Sequence, residues 1–251
     1  MLMVTQHAQF EPENPLITKL GGFTVLSDDD RQAIVHASRH VRSVQPHRDI
    51  ISDGDRPDHV HLVMDGWAAR YKILRSGARQ ITAFLIPGDY CDLHVTILHE
   101  MDHGIVAVTP VTVACISRAE MEKLCDDRPG LMRAMWWATL VDEGVLRAWI
   151  VNIGGRDAYA RIANLMCEMH LRMRNVGRAD EGAFQLPLTQ ELLADTLGLT
   201  PVHINRTLKR LKAEHLIDLG RNTLMIVDPA GLRRAAGFDP SYLHRNQLID
   251  G

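Results

Sequence analysis

No stretch of this 251-residue chain approaches the roughly 20 consecutive apolar residues that a membrane-spanning helix needs, so no membrane span is expected. The opening MLMVTQHAQFEPENPL lacks the basic start and apolar segment of a secretory signal and reads as a loose tail. There is no internal repeat and no low-complexity tract. Cysteine is scarce: Cys91, Cys115, Cys125 and Cys167 form no CxxC pair, which argues against a zinc finger or a thioredoxin-like site. In a cytoplasmic chain, the expected setting, they are reduced and act as small apolar residues. A basic surplus is missing too, since the net charge is −3, and no bulk attraction for polyanions follows. No Ser/His/Asp set and no carboxylate pair sits in a catalytic frame, so no enzyme is expected, and no metal or other cofactor. What the chain does have is 46% apolar residues, enough for one large core or two modest ones.

The chemistry concentrates in LTQELLADTLGLTPVHINRTLKRLKAEHLI, residues 188–217. Thr189 is a good N-cap, because its hydroxyl can accept from a free backbone N–H in the first turn of a helix. Leu192, Leu193, Thr196 and Leu197 recur at helical spacing, and Gly198 sits where that helix must stop. Thr200 is a second N-cap, and Pro201 falls at the first helical position, where its missing N–H costs nothing. Ile204, Leu208 and Leu211 form a buried stripe, with His203, Asn205, Arg206, Lys209, Arg210 and Lys212 on the other face. Two short helices with a tight turn, the second basic, form a helix-turn-helix that places a helix in the major groove of double-stranded DNA. In the following DLGRNTLMIVD, Gly220 and Asn222 suit a turn between two short strands, a wing with Arg221 near its tip. Residues 155–251 carry 13 Lys and Arg against 11 Asp and Glu, and residues 1–154 carry 15 against 20. Thr200–Lys212 alone has four cations and no anion, which fits a reader of a defined site.

Upstream, Pro129 to Asn152 has no internal proline and is rich in Leu, Met, Ala, Trp and Val. Leu131, Ala134, Ala138, Val141, Val145, Ala148 and Asn152 alternate spacings of three and four. They are read as a homodimer seam, with Asn152 as a polar residue that fixes register. Trp136, Trp137 and Trp149 are expected to cover the helix against its own domain. The alternative is a core helix of a monomer. Gly154 and Gly155 then interrupt the pattern and suggest a hinge before a helix at Arg156–Arg174.

Residues 20–116 change character. HVRSVQ, DIISDGD, HVHLVMDG, AARYKILR, QITAFLIPGD and VAVTPVTVACI are β-prone and broken by turn signals. Gly54, Gly66, Gly77 and Gly88 recur every 11 or 12 residues, a cadence that suits a small antiparallel roll. A helix capped by Ser27 is expected before the roll and one capped by Ser117 after it.

The order helix, roll, seam helix, hinge, winged helix-turn-helix resembles the Crp/Fnr superfamily of bacterial transcription regulators over residues 20–228. The marks are IISDGD, LVMDG, IPGD, DAYARIANLM and the helix-turn-helix. The fold class is therefore α+β: an N-terminal antiparallel β-roll of the cyclic-nucleotide-binding kind, a long dimerisation helix and a C-terminal winged helix-turn-helix. The divisions read as a flexible tail at 1–18, the roll at 19–128, the dimerisation helix at 129–153, the DNA-binding domain at 154–232 and a tail at 233–251. The resemblance implies a homodimer that binds an inverted repeat, contacts RNA polymerase and answers to a small molecule in the roll.

The chain also departs from that family. Members that bind cyclic AMP follow the PGD turn with Gly-Glu-Leu and later Arg-Ser-Ala, for the ribose and the phosphate. Here Cys91-Asp92-Leu93 and His103-Gly104-Ile105 stand in those places, and no Arg occurs between Asp92 and Ser117. A buried phosphate would lack its bidentate cation, so the effector is expected not to be cyclic AMP. An effector pocket is expected around Ile86, Gly88, Asp89, Cys91, Asp92, Leu93, His94 and His103. The iron–sulfur members' N-terminal cysteine cluster is missing. In the recognition helix the family's Arg-Glu pair is replaced by Pro201 and Val202, so a different half-site is expected. The expected DNA contacts are Thr189, Gln190, Thr200, Val202, His203, Asn205, Arg206, Lys209, Arg210 and Arg221. Arg206 suits guanine, Asn205 adenine, and Thr189 and Gln190 phosphate. Two other readings stay open: a cupin-like metal enzyme using His59 and His61 with Asp65, and a haem or redox sensor using Cys91 and His94 among His99 and His103.

Overall fold

A computed structural model describes residues 13–93, 97–98, 100–180 and 182–244. Two short helices, α1 (Pro15–Gly21) and α2 (Asp28–Ala37), lead into β1 (Val41–Val44), β2 (Asp49–Ile51), β3 (His59–Asp65), β4 (Ala68–Ile73), β5 (Arg79–Leu85), β6 (Gly104–Ala107) and β7 (Val111–Ser117). Then come α3 (Arg118–Asp127), α4 (Pro129–Gly155), α5 (Ala158–Asn175), β8 (Ala183–Gln185), α6 (Gln190–Leu197), α7 (Pro201–Ala213), β9 (Ile217–Leu219), β10 (Thr223–Ile226), α8 (Pro229–Ala236) and a 3-10 turn at Pro240–Leu243.

The seven front strands make two antiparallel sheets, in the orders β1-β7-β3 and β2-β6-β4-β5. Leu62, Ile81, Phe84, Ile105 and Ile116 are buried, and Phe84 packs edge-on against Trp149 of α4. The glycine cadence marks the turns, and all four glycines have φ between 83° and 91°. Gly66 has a second reason to be glycine, since a Cβ there would meet the Pro110 carbonyl at 2.2 Å. Ser27 and Ser117 close capping boxes with Asp30 and Glu120, starting α2 and α3 as their sequences predict.

Several expectations need correction. Part of the supposed N-terminal tail is helical: Asn14 caps α1, Pro15 starts it, and Leu16, Ile17 and Leu20 are buried. The supposed C-terminal tail holds the end of α8 and the 3-10 turn, anchored by Leu243 and by Tyr242, which donates to Glu168 at 2.9 Å. The largest correction concerns α4. Leu131, Ala134, Ala138, Val141, Val145 and Asn152 are buried within the single chain, and Ala148 is half-buried. The periodic stripe is the helix's inner face, covered by its own roll and DNA-binding domain. Asn152 does not fix a seam register either, because its side chain donates to the Arg161 carbonyl on α5 at 3.1 Å. Trp149 and Trp137 do face inward, but Trp136 is 64% exposed. Its outward row also includes Met132, Leu140, Ile150 and Val151. Both helical glycines, Gly154 and Gly155, lie inside α4, and the break comes at Arg156, before Asp157 caps α5.

Candidate nucleic-acid interface

Local rules build the two helices. The Thr189 hydroxyl accepts from the Leu192 N–H at 3.1 Å and starts α6. Gly198 ends it in the left-handed conformation, with φ 63°, which favours glycine. The Thr200 hydroxyl then accepts from the His203 N–H at 3.3 Å, with Pro201 in the first turn of α7. Ile204, Thr207, Leu208 and Leu211 turn into the domain.

On the opposite side Val202, His203, Arg206 and Lys209 are exposed, and Asn205 is half-buried. Val202 is 75% exposed, unusual for a residue that could have been polar. Arg210 differs from Arg206. Its Nε donates to Glu214 at 2.8 Å and its guanidinium lies 4.2 Å over the Tyr159 ring, so the protein itself holds it. Tyr159 also donates to Glu214, which explains why both ends of that side chain are fixed. Lys212 pairs with Asp218 at 2.6 Å. Thr189 and Gln190 are exposed at the start of α6. The wing has three strands in the order β8-β10-β9, of which β8, separated from the other two by α6 and α7, was not apparent in the sequence. Asn222, at φ 60°, turns the wing tip beside exposed Arg221.

A family model for the Crp-like helix-turn-helix domain matches residues 160–235, and one for the cyclic nucleotide-binding domain matches residues 41–128. The chain belongs to the Crp/Fnr superfamily. Among its curated relatives is the transcriptional activator protein FnrL of Cereibacter sphaeroides, 28% identical over 84% of this chain and 86% of that protein. Another is the nitrogen fixation regulation protein FixK of Rhizobium meliloti, 28% identical over 90% of this chain and 96% of that protein. The solved structure of FixK2 from Bradyrhizobium japonicum superposes with a TM-score of 0.70 at 24% identity, covering 78% of this chain and 96% of that one, and shows a shared fold. This Crp/Fnr protein is accordingly a DNA-binding transcription regulator, not an enzyme.

The turn after β5, where the family's effector would be read, is filled by the protein's own groups. Asp89 is buried. Lys19 donates to it at 2.7 Å, Arg172 at 2.8 Å and the Ile86 N–H at 2.9 Å. Burial alone would raise its pKa, but the two cations hold the carboxyl below the usual aspartate range. Asp92 is 1% exposed and accepts from both the His61 N–H (2.7 Å) and the His61 ring (2.8 Å). Gly88 lies against Pro15, leaving 2.7 Å between a would-be Cβ and the Pro15 carbonyl. Ile86 and Cys91 are buried, Leu93 is half-buried, and the His103 ring pairs with Asp102 at 2.6 Å. Burial pushes the Cys91 thiol well above its usual range, so it is no ready thiolate. His94 and His99 lie outside the described residues.

His59 pairs with Asp58 and His61 with Asp92, so the two histidines do not present themselves as free ligands, and Asp65 pairs with Arg178. Among the described residues no group of three or more His, Cys, Asp or Glu is arranged for a metal ion. Sequence order also hid a cation. No Arg follows Asp92 before Ser117, yet Arg70 reaches across from β4 and donates to the Cys91 carbonyl at 3.2 Å, with its buried Nε without a partner among the described residues. Only the β4–β6 register, which sets Arg70 opposite Ile105, brings it there.

Other residues that the sequence did not single out connect the roll to the DNA-binding domain. Arg172 of α5 donates to the Phe84 carbonyl as well as to Asp89, both at 2.8 Å. Beside it Glu168, fully buried, accepts from Trp149 of α4 and from Tyr242. Burial raises the Glu168 pKa against the pull of Arg172. Farther out, Arg79 of β5 pairs with Asp195 of α6 at 2.9 Å, and Gln80 donates to the Thr196 carbonyl at 3.2 Å. The PGD turn thus holds α5, and the start of β5 holds α6 of the helix-turn-helix.

Proposed function

We propose that this regulator acts as a cytoplasmic homodimer on an inverted repeat, without a resident haem or metal, and that its effector is not cyclic AMP. The observation that carries this reading is the outward face of α4, where Met132, Trp136, Leu140, Ile150 and Val151 are exposed along one side of a 27-residue helix. An apolar row of that length is well covered by its own copy about a two-fold axis. Glu143 and Arg147 interrupt the row, paired at 2.6 Å, and can exchange partners across the axis. Two recognition helices so related would read half-sites about one helical turn apart. Contact with RNA polymerase is expected from the family.

Within each half-site, Arg206 suits bidentate contact with a guanine, Asn205 an adenine edge, and exposed Val202 a thymine methyl. Thr189, Gln190, Thr200, Lys209 and Arg221 suit phosphates, with His203 beside Arg206. Arg210, held by Glu214 and Tyr159, is left as a support for the helix. In the roll, Asp89 and Asp92 are both taken by internal partners, which leaves neither for a ribose hydroxyl. Arg70 Nε is assigned to an acceptor of the effector. The test is sedimentation equilibrium of the intact protein, with DNA affinity measured with and without cyclic AMP. A dimer whose DNA affinity ignores cyclic AMP supports the reading; a monomer at micromolar concentration, or a cyclic AMP response, contradicts it.

A further inference from the structure

A cavity of the DNA-binding domain lies outside the roll. It measures about 470 Å³ and opens between α5, the loop before β8, the end of β10, and α8. That is within the range of about 300–1,000 Å³ typical of small-molecule sites. Four α5 residues at positions 167, 170, 171 and 174 face it, as do three of α8 at 229, 232 and 233. These are helical spacings that turn one side of each helix toward the same space. Cys167, Leu171, Ile226 and Leu232 give it an apolar floor. Burial pushes the Cys167 thiol up to about 12, so the floor is uncharged at neutral pH.

Arg174 and Arg233 stand at the rim, and among the described residues neither makes an ion pair or a side-chain hydrogen bond, whereas Arg172 and Arg178 on either side are paired. Each lies in the last turn of its helix, where a cation is favoured. That does not account for two lining one cavity whose carboxylate, among the described residues, is Asp180. The His170 Nε2, on the same cavity, is buried without a partner among the described residues. A buried polar atom with no partner commonly marks a missing ligand or water. Burial lowers the His170 pKa, and Arg174 and Arg233 lower it further against a backbone hydrogen bond at Asp180.

We propose that the DNA-binding domain carries a second ligand site, for a small organic anion whose charged head sits between Arg174 and Arg233 and whose apolar body fills the floor. Guanidinium groups suit a carboxylate or phosphate head by bidentate donation. The site lies at the base of the wing: Gly182 and Ile226, joined by a 2.9 Å backbone bond, form one wall. Arg221, an expected DNA contact, is at the other end of the wing. A ligand here would tie the wing base to α5, the helix that Arg172 fastens to the roll.

The test is isothermal titration of the full-length protein with hexanoate, hexanamide and inorganic phosphate, on wild type, the double variant Arg174→Ala/Arg233→Ala, and Leu171→Trp. Hexanoate is expected to bind wild type at least about tenfold more tightly than hexanamide or phosphate, a difference of about 1.4 kcal/mol. Both variants should lose that advantage, the first through charge and the second by filling the floor. Without hexanoate, the double variant should keep its DNA affinity within about twofold. Equal binding of hexanamide or phosphate, or hexanoate binding retained by either variant, would overturn the proposal. So would a fall in the double variant's DNA affinity with a shallower salt dependence, because the arginines would then be backbone contacts.

Discussion

Asp89 is 70 residues from Lys19 and 83 from Arg172, yet it is buried between them. Removing one partner of a buried ion pair leaves the other charge uncompensated, at about 3–5 kcal/mol. Asp89→Asn should lower stability by about that much at pH 7, measured by urea unfolding. The sign of its pH dependence is fixed. The folded pKa is depressed below 3.8, so the contribution is complete above the unfolded value and lost as pH falls through the folded one. The gap between wild type and Asp89→Asn should therefore hold near neutrality and close below pH 3.8. A gap that stayed constant down to acid unfolding would contradict the assignment. None of this was legible in the sequence, where IPGD marks a turn but not what comes to meet it. At the DNA face, Arg206→Ala should cost about 1–3 kcal/mol at one base pair and relax specificity there. Lys209→Ala should weaken all sequences alike and reduce the salt slope by about one. Affinities over a set of single-base variants separate the two patterns.

At the scale of elements, what was readable is what is local. Ser27, Ser117, Thr189 and Thr200 each bond to a backbone N–H three residues on, and all four caps are visible in the sequence alone. Replacing Thr200 with Ala should cost about 1 kcal/mol in urea unfolding. The seam failed for the opposite reason. Periodicity identifies an apolar stripe but not which surface covers it, and Leu131 to Asn152 are covered by the same chain. The outward residues are fewer, broken by Glu143 and Arg147, and so less regular to the eye. Two substitutions two positions apart separate the faces. Trp136→Asp should give a folded monomer with little change in melting temperature. Ala138→Asp, at 3% exposure, buries an unpaired carboxylate and should unfold the chain. Circular dichroism with sedimentation would contradict the assignment if the outcomes were reversed.

For the whole molecule, the roll and the helix-turn-helix are joined by more than the α4–α5 connection. Arg172 on Asp89 and Phe84, Glu168 with Trp149 and Tyr242, and Arg79 on Asp195 join elements far apart in sequence. The turn after β5 is tied in this way to α5, and the start of β5 to α6. The order of domains was legible, because glycine cadence, a long apolar helix and two capped helices are each local patterns. Their docking was not, since it depends on side chains that meet only after the chain folds. The central claim is a two-fold reader held together by the outward face of α4. It is tested most directly by the stoichiometry of complexes on a duplex selected from a random library. Wild type should select an inverted repeat and bind it as two chains per duplex, and Trp136→Asp should bind as single chains with weakened affinity. A selected site without symmetry, occupied by one chain of either protein, would contradict it.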